Sequence, residues 1–130
     1  RDVGKKKYPY YIRLKSRPVF ALAGIWDTWM NPETSEYVYT FSVVTTEANE
    51  LIAKVHNLRK RMPLILSKDG EEDWLDLKLD EKALKSIMRP YQVTDMEAYP
   101  VENKINKLGY NTTDRTVTEI FDYPGLPALV

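Results

Sequence analysis

Val19-Phe20-Ala21-Leu22-Ala23-Gly24-Ile25-Trp26, closed by Asp27-Thr28-Trp29, is an almost unbroken apolar run. It reads as a β-strand buried on both faces, because a solvated strand would alternate. On its N-terminal side, Tyr8 to Leu14 holds the β-formers Tyr10, Tyr11 and Ile12 and reads as another strand. Ser16-Arg17-Pro18 between the two is short enough for a hairpin turn, so the pair is expected to be antiparallel. On the C-terminal side, Asn31-Pro32-Glu33-Thr34-Ser35-Glu36 is a second turn signal, and Tyr37 to Thr45 is a third strand.

The period then changes. Thr46 can cap a helix with Glu47 in its first turn, and Leu51, Ile52 and Val55 recur at helical spacing up to His56. Pro63 ends any helix, and Leu64-Ile65-Leu66 reads as a short buried strand. The acidic stretch from Asp69 suits the first turn of a helix containing Trp74 and Leu75. Asp80 can cap another, with Leu84, Ile87 and Met88 inside and Arg89-Pro90 as its stop. Tyr91 to Val101 is extended, and the last thirty residues are turn-rich. This order predicts an α+β fold: a mainly antiparallel, barrel-like sheet core with a few short helices. A doubly wound parallel sheet would need regular helix alternation.

A chain of 130 residues suits one domain spanning 1–130. No apolar run approaches the roughly 20 residues of a membrane-spanning helix, so no membrane partner is expected. No signal peptide is visible, and the expected location is the cytoplasm, nucleoid-associated in a bacterium or nuclear in a eukaryote. With no cysteine there is no disulfide, no thiolate nucleophile and no sulfur-based zinc site. Scattered glycines and a single histidine exclude a phosphate-binding glycine loop and a His-Glu-x-x-His site, so neither metal nor cofactor is expected. The formal charge is zero, yet residues 1–17 hold seven basic residues against one acidic, and residues 69–81 hold seven acidic against one basic. A chain divided this way can turn one face to an anion, although solvated surface explains both runs equally simply.

His56 is the candidate for chemistry. A lone histidine is commonly just a packing or surface residue, but this one ends a helix beside Arg59, Lys60 and Arg61. A neutral imidazole at such an element boundary can accept a proton. Thr45-Thr46, at a strand-to-helix junction, offers N–H groups and hydroxyls to a phosphate, with ordinary capping as the simpler explanation. Tyr8, Tyr10, Tyr11, Trp26 and Trp29 can stack bases, although aromatics in a buried strand more commonly build the core.

Several stretches, in order, resemble the SRAP (SOS response-associated peptidase) family. Lys7-Tyr8-Pro9-Tyr10-Tyr11-Ile12 is similar to its Lys-x-Pro-aromatic-aromatic-Ile strand, and Phe20 to Trp29 is similar to its Phe-Ala-Gly-Leu-Trp-Glu-x-Trp segment. Phe41 to Asn49 resembles the strand-to-helix element before the family histidine. His56 with Arg61-Met62-Pro63-Leu64-Ile65-Leu66 resembles its His-x-Arg-Met-Pro motif, and Tyr99-Pro100-Val101 with Ile105-Asn106 its close. The chain departs from the pattern in having no cysteine, no Asn-Ala-Arg or Trp-x-Glu-Trp segment, an insertion at Leu58-Arg59-Lys60, and Asp27 in place of glutamate.

The resemblance implies a DNA-damage response protein that binds single-stranded DNA and forms a thiazolidine crosslink to abasic sites through an N-terminal cysteine. That cysteine lies outside these residues, so the chain is expected to be the C-terminal part of a longer SRAP domain. Crosslinking and autopeptidase activity are then expected of the complete protein and not of this chain alone. The resemblance makes His56 the proton-transfer residue and Arg61 and Thr45 contacts to the DNA backbone, with Arg59 and Lys60 alongside in the basic loop. The expected partner is single-stranded DNA bearing abasic sites, and the expected state is a monomer. Two other readings are a non-catalytic module for single-stranded nucleic acid and a hydrolase. The hydrolase needs a nucleophile such as Ser42 or Ser67 near His56, which their spacing does not support.

Overall fold

The chain does not turn back at Ser16-Arg17-Pro18, because Asp95 holds it elsewhere. The Asp95 carboxylate accepts from Ser16 N at 2.9 Å and from Ser16 Oγ at 2.6 Å, and Lys15 N donates to the Asp95 carbonyl at 2.8 Å. The computed structural model describes residues 1–104, 107–111 and 113–129. Its strands are β1 (Asp2–Val3), β2 (Lys6–Lys7), β3 (Tyr10–Leu14), β4 (Gly24–Met30), β5 (Tyr37–Val43), β6 (Thr45–Glu47), β7 (Arg61–Pro63) and β8 (Met96–Pro100). The helices are α1 (Glu50–Val55), α2 (Lys68–Leu75) and α3 (Glu81–Ile87).

The pairs β1–β2, β3–β8 and β4–β5 are antiparallel, and β6 pairs with β7. The fold is α+β with small antiparallel sheets, as expected, although among the described residues these two-stranded pairs do not close into a barrel. No helix is long and apolar enough to cross a membrane among these residues.

Two compact units divide the chain. The first holds residues 1–19, 48–61 and 92–130, apart from those not described. Here β3 pairs with β8 from Tyr10 opposite Pro100 to Leu14 opposite Met96, and α1 packs on β8. Leu14, Ile52, Val55, Met96 and Val101 are its buried apolar residues. Helix α1 is capped by Asn49, whose Oδ1 accepts from Ile52 N at 3.0 Å, and not by Thr46. Thr45 to Glu47 stay extended, so the expected helix start moves three residues along. The residues after 108 return to β8: Phe121 N donates to Pro100 O at 2.9 Å, and Tyr123 Oη donates to Val101 O at 2.9 Å. The Tyr123 ring meets Tyr8 edge-on at 5.0 Å.

The second unit holds residues 20–47 and 62–91. Its core is Ala23, Leu64 and Leu66, with Ala21, Val44, Trp74 and Ile87 packed around them. Backbone bonds lace it together: Ala23 N donates to Leu64 O at 2.8 Å, Leu64 N to Val44 O at 2.9 Å, and Leu66 N to Ala21 O at 3.0 Å. Leu64 to Leu66 is buried as expected, but its ladder is a single bridge from Leu22 to Ile65. Helices α2 and α3 start where sequence predicts: Ser67 Oγ accepts from Gly70 N at 3.1 Å, and Asp80 Oδ1 from Ala83 N at 2.7 Å.

The run Val19–Trp26 is not a strand buried on both faces. Only Ala23 in it is buried, while β4 starts at Gly24 and pairs with β5 in a hairpin whose side chains are largely exposed. A continuous apolar run signals that both faces seek cover, and among the described residues only Ala23 finds it in full.

Candidate functional site around His56

The site follows from how α1 ends. His56 is its C-cap, with φ −92° and ψ 54°, and its N–H donates to Ile52 O at 2.7 Å. The next four residues close a loop on themselves: Lys60 N donates to His56 O at 2.9 Å, and Lys60 O accepts from Ala48 N at 3.0 Å. This turn forces Lys60 to φ +47°, where an L-residue crowds its own Cβ. Leu58-Arg59-Lys60 therefore forms a tight loop, and Arg61 comes back to His56.

That return fixes the imidazole. His56 Nδ1 lies 2.9 Å from the Arg61 carbonyl, and since a carbonyl only accepts, Nδ1 carries the hydrogen in this contact. In the neutral ring the lone pair is then on Nε2, on a side chain that is exposed. Arg59, Lys60 and Arg61 are also exposed, and among the described residues none of the three is paired with a carboxylate.

Sequence reasoning passed over Asn57. Its Nδ2 donates to Asp2 O at 2.7 Å and its Oδ1 accepts from Asp2 N at 3.0 Å, so one side-chain amide imitates a strand partner. These bonds tie the β1–β2 hairpin, which carries the exposed Lys5, Lys6 and Lys7, to the residue after His56. Nothing in the local sequence marks an asparagine for this task, because its partner is 55 positions away.

His56, Arg59, Lys60 and Arg61 thus share one loop of the first unit. Thr45 belongs to the second unit and opens β6, so the expectation that it sits at a helix N-terminus fails. Of the two serines considered as nucleophiles, Ser67 is committed to capping α2 and Ser42 lies on β5; both belong to the second unit. Trp26 and Trp29 are exposed and not core, whereas Tyr8, Tyr10 and Tyr11 are half-buried. Ile105 and Asn106 lie outside the described residues. Among the described residues no cluster of three potential metal ligands occurs.

The Lys60 geometry carries a prediction. Lys60→Gly should relieve that crowding, and Lys60→Val should leave the first unit less stable than the glycine variant by about 1–2 kcal/mol, the cost of holding an L-residue in the left-handed region. Urea melts of the two variants measure the difference.

Comparison with known proteins places these features in a family context. The family model for SOS response associated peptidase (SRAP) matches residues 1–108. The abasic site processing protein YoqW of Bacillus subtilis is 40% identical over 111 residues, covering 85% of this chain and 48% of YoqW. The abasic site processing protein HMCES of Gallus gallus is 30% identical over 98 residues, covering 74% of this chain and 28% of HMCES. A crystal structure of a protein from Bacteroides thetaiotaomicron superposes with a TM-score of 0.86 at 36% identity, covering 93% of this chain and 51% of that one. The chain thus spans about half the length of YoqW and of the Bacteroides protein.

Proposed function

The chain belongs to the SOS response associated peptidase (SRAP) family, and on that footing we propose that it supplies the His56 half of a site that acts on abasic single-stranded DNA. The observation that carries this reading is the His56 ring, exposed and held through Nδ1 by the Arg61 carbonyl, in a loop of three cations that pair with no carboxylate among the described residues. Its relatives YoqW and HMCES are named abasic site processing proteins, which supports the same reading.

Each group then has a role. An abasic sugar in its open form presents an aldehyde. The amine of a cysteine outside these 130 residues adds to that carbon, the carbonyl oxygen leaves as water with both amine protons, and the thiol adds across the resulting C=N bond. The sulfur bonds to carbon and the thiol proton ends on nitrogen, closing a thiazolidine. His56 Nε2 accepts a proton from the adding amine and returns it to the departing oxygen, and the Arg61 carbonyl keeps the ring aimed during the exchange. Arg59, Lys60 and Arg61, with Lys5 to Lys7 on the tied hairpin, hold the phosphates on either side. Thr45 is a further proposed contact to the DNA backbone. The hydrolase alternative gains nothing, since Ser67 is occupied as a cap.

Binding by the 130-residue chain tests the phosphate roles. Titration of a fluorescent single strand at several salt concentrations should give affinity that falls as salt rises. Neutralising Arg59, Lys60 and Arg61 to Gln together should flatten the log–log slope by about 2 units, three phosphate contacts at about 0.7 each. An unchanged slope would remove the loop from the DNA interface. If affinity is equal for intact and abasic strands and the joined protein described below forms no adduct, the non-catalytic binding module becomes the correct reading.

A further inference from the structure

A hairpin of two-residue strands has little of its own to hold its direction. β1 and β2 pair Asp2 with Lys7 and Val3 with Lys6, and Gly4, at φ +60°, makes the turn with Lys5. Such a ribbon is marginal in water by itself, and none of residues 2–7 is buried. Where its lysines stand is decided by what grips the hairpin from outside.

The register shows where that grip falls. An antiparallel strand bonds its partner through alternate residues, and Tyr8 N donates to Arg1 O at 2.8 Å, so the N–H and carbonyl of Asp2 face away from β2. One side chain takes both. Asn57 Nδ2 donates to Asp2 O at 2.7 Å, and Asn57 Oδ1 accepts from Asp2 N at 3.0 Å. Asn57 follows His56 directly, so the hairpin hangs from the same loop that carries Arg59, Lys60 and Arg61.

The zero net charge of the chain conceals a division between its two units. Residues 1–19, 48–61 and 92–130 hold fourteen basic residues and eight acidic, whereas residues 20–47 and 62–91 hold five and eleven. A phosphate chain is therefore drawn to the first unit. Six of its cations stand on the two segments that Asn57 joins, Lys5 to Lys7 and Arg59 to Arg61. Among the described residues none of the six is paired with a carboxylate. Two triplets free to move apart bind a flexible strand independently; held in fixed relation, they bind it together and more tightly.

We infer that Asn57 is a positioning residue, whose side-chain amide joins the lysine hairpin to the His56 loop and so makes Lys5 to Lys7 and Arg59 to Arg61 one phosphate-binding surface. The inference rests on the reading of His56 as part of a site for abasic single-stranded DNA. Asn57 acts through the lysines and touches no strand itself.

The test is the slope of log affinity against log salt, for the 130-residue chain and a fluorescent single strand. Changing Lys5, Lys6 and Lys7 together to Gln should flatten the slope by about 2 units, three phosphate contacts at about 0.7 each. Asn57→Ala removes no charge, yet it should flatten the slope by about 1 unit or more, and adding it to the lysine variant should change nothing further. An amide that served only the stability of the fold would leave the slope alone. Asn57→Ser, whose hydroxyl cannot span both Asp2 groups, should behave like Asn57→Ala. Neither Asn57 nor Asp2 belongs to the buried core, so circular dichroism of these variants should match the parent. Hydrogen exchange checks the tie without DNA: the Asp2 N–H should be protected in the parent and open in Asn57→Ala. A parent slope in Asn57→Ala or in the lysine variant, additive effects of the two changes, or an Asp2 N–H that stays protected without the amide would overturn the inference and leave the reading of His56 standing. A parent chain that binds no single strand would overturn both.

Discussion

Alanine in place of His56 should slow covalent attachment to an abasic strand by about 10²–10⁴-fold, the usual contribution of a positioned proton carrier. In free-energy terms this is about 3–5 kcal/mol of barrier. The protein for this measurement joins the chain to the part of YoqW outside the match, so that both halves of the site are present. The imidazole is exposed and its one described side-chain contact is Nδ1 to the Arg61 carbonyl, so removing it should change stability little. His56→Gln separates the two roles a histidine can play. A glutamine amide can still donate to the Arg61 carbonyl, but it cannot carry a proton at neutral pH. Both variants should therefore be slow, with binding of the strand nearly unaffected. Parent-like rates in His56→Gln would make the residue a loop clamp and not a proton carrier.

The largest effect on stability is expected at Leu64. Its side chain is fully buried, and its backbone N–H and carbonyl both belong to the lacing between residues 21–23, 44 and 64–66. Truncation leaves a cavity that hydrogen-bonded backbone on both sides cannot fill by collapsing. Leu64→Ala should cost about 2–5 kcal/mol. Folded domains hold roughly 5–15 kcal/mol in all, so the variant is expected to lose much of its urea resistance. Leu77→Ala, at a side chain with no burial to lose, should stay within about 0.5 kcal/mol of the parent. Equal behaviour of the two leucines would mean that the core around Ala23 and Leu66 is wrongly identified.

What the sequence revealed and what it concealed divide along a physical line. Local signals were legible. Asp80 three residues before Ala83, the stop at Arg89-Pro90, the turn from Asn31 to Glu36 and the helix ending at His56 each depend on interactions within a few residues. Partners far along the chain were not. Ser16-Arg17-Pro18 has the composition of a hairpin turn, but the chain there is held by Asp95, 79 positions from Ser16, beside the pairing of β3 with β8. Thr46 is as good a cap by composition as Asn49, and the strand from Thr45 to Glu47 decides between them.

The site divides in the same way. His56 and the cations of its loop are close in sequence and stay together, so reading them as one unit was possible. The link from Asn57 to the lysine-bearing hairpin, and the separation of Thr45 into the other unit, depend on tertiary contacts that no motif spells out. The apolar run from Val19 to Trp26 gave the right demand for burial and the wrong place for it. Apart from Ala23, its side chains ask for cover that the described residues provide only in part or not at all.

The most direct measurement is a denaturing gel of a single-stranded oligonucleotide with one abasic site after incubation with the joined protein. The account predicts a slow-migrating protein–DNA band with the abasic strand, no such band with the intact strand, and none when the 130-residue chain is used alone. A joined protein that folds and binds the abasic strand yet forms no more covalent product with it than with intact DNA would contradict the account.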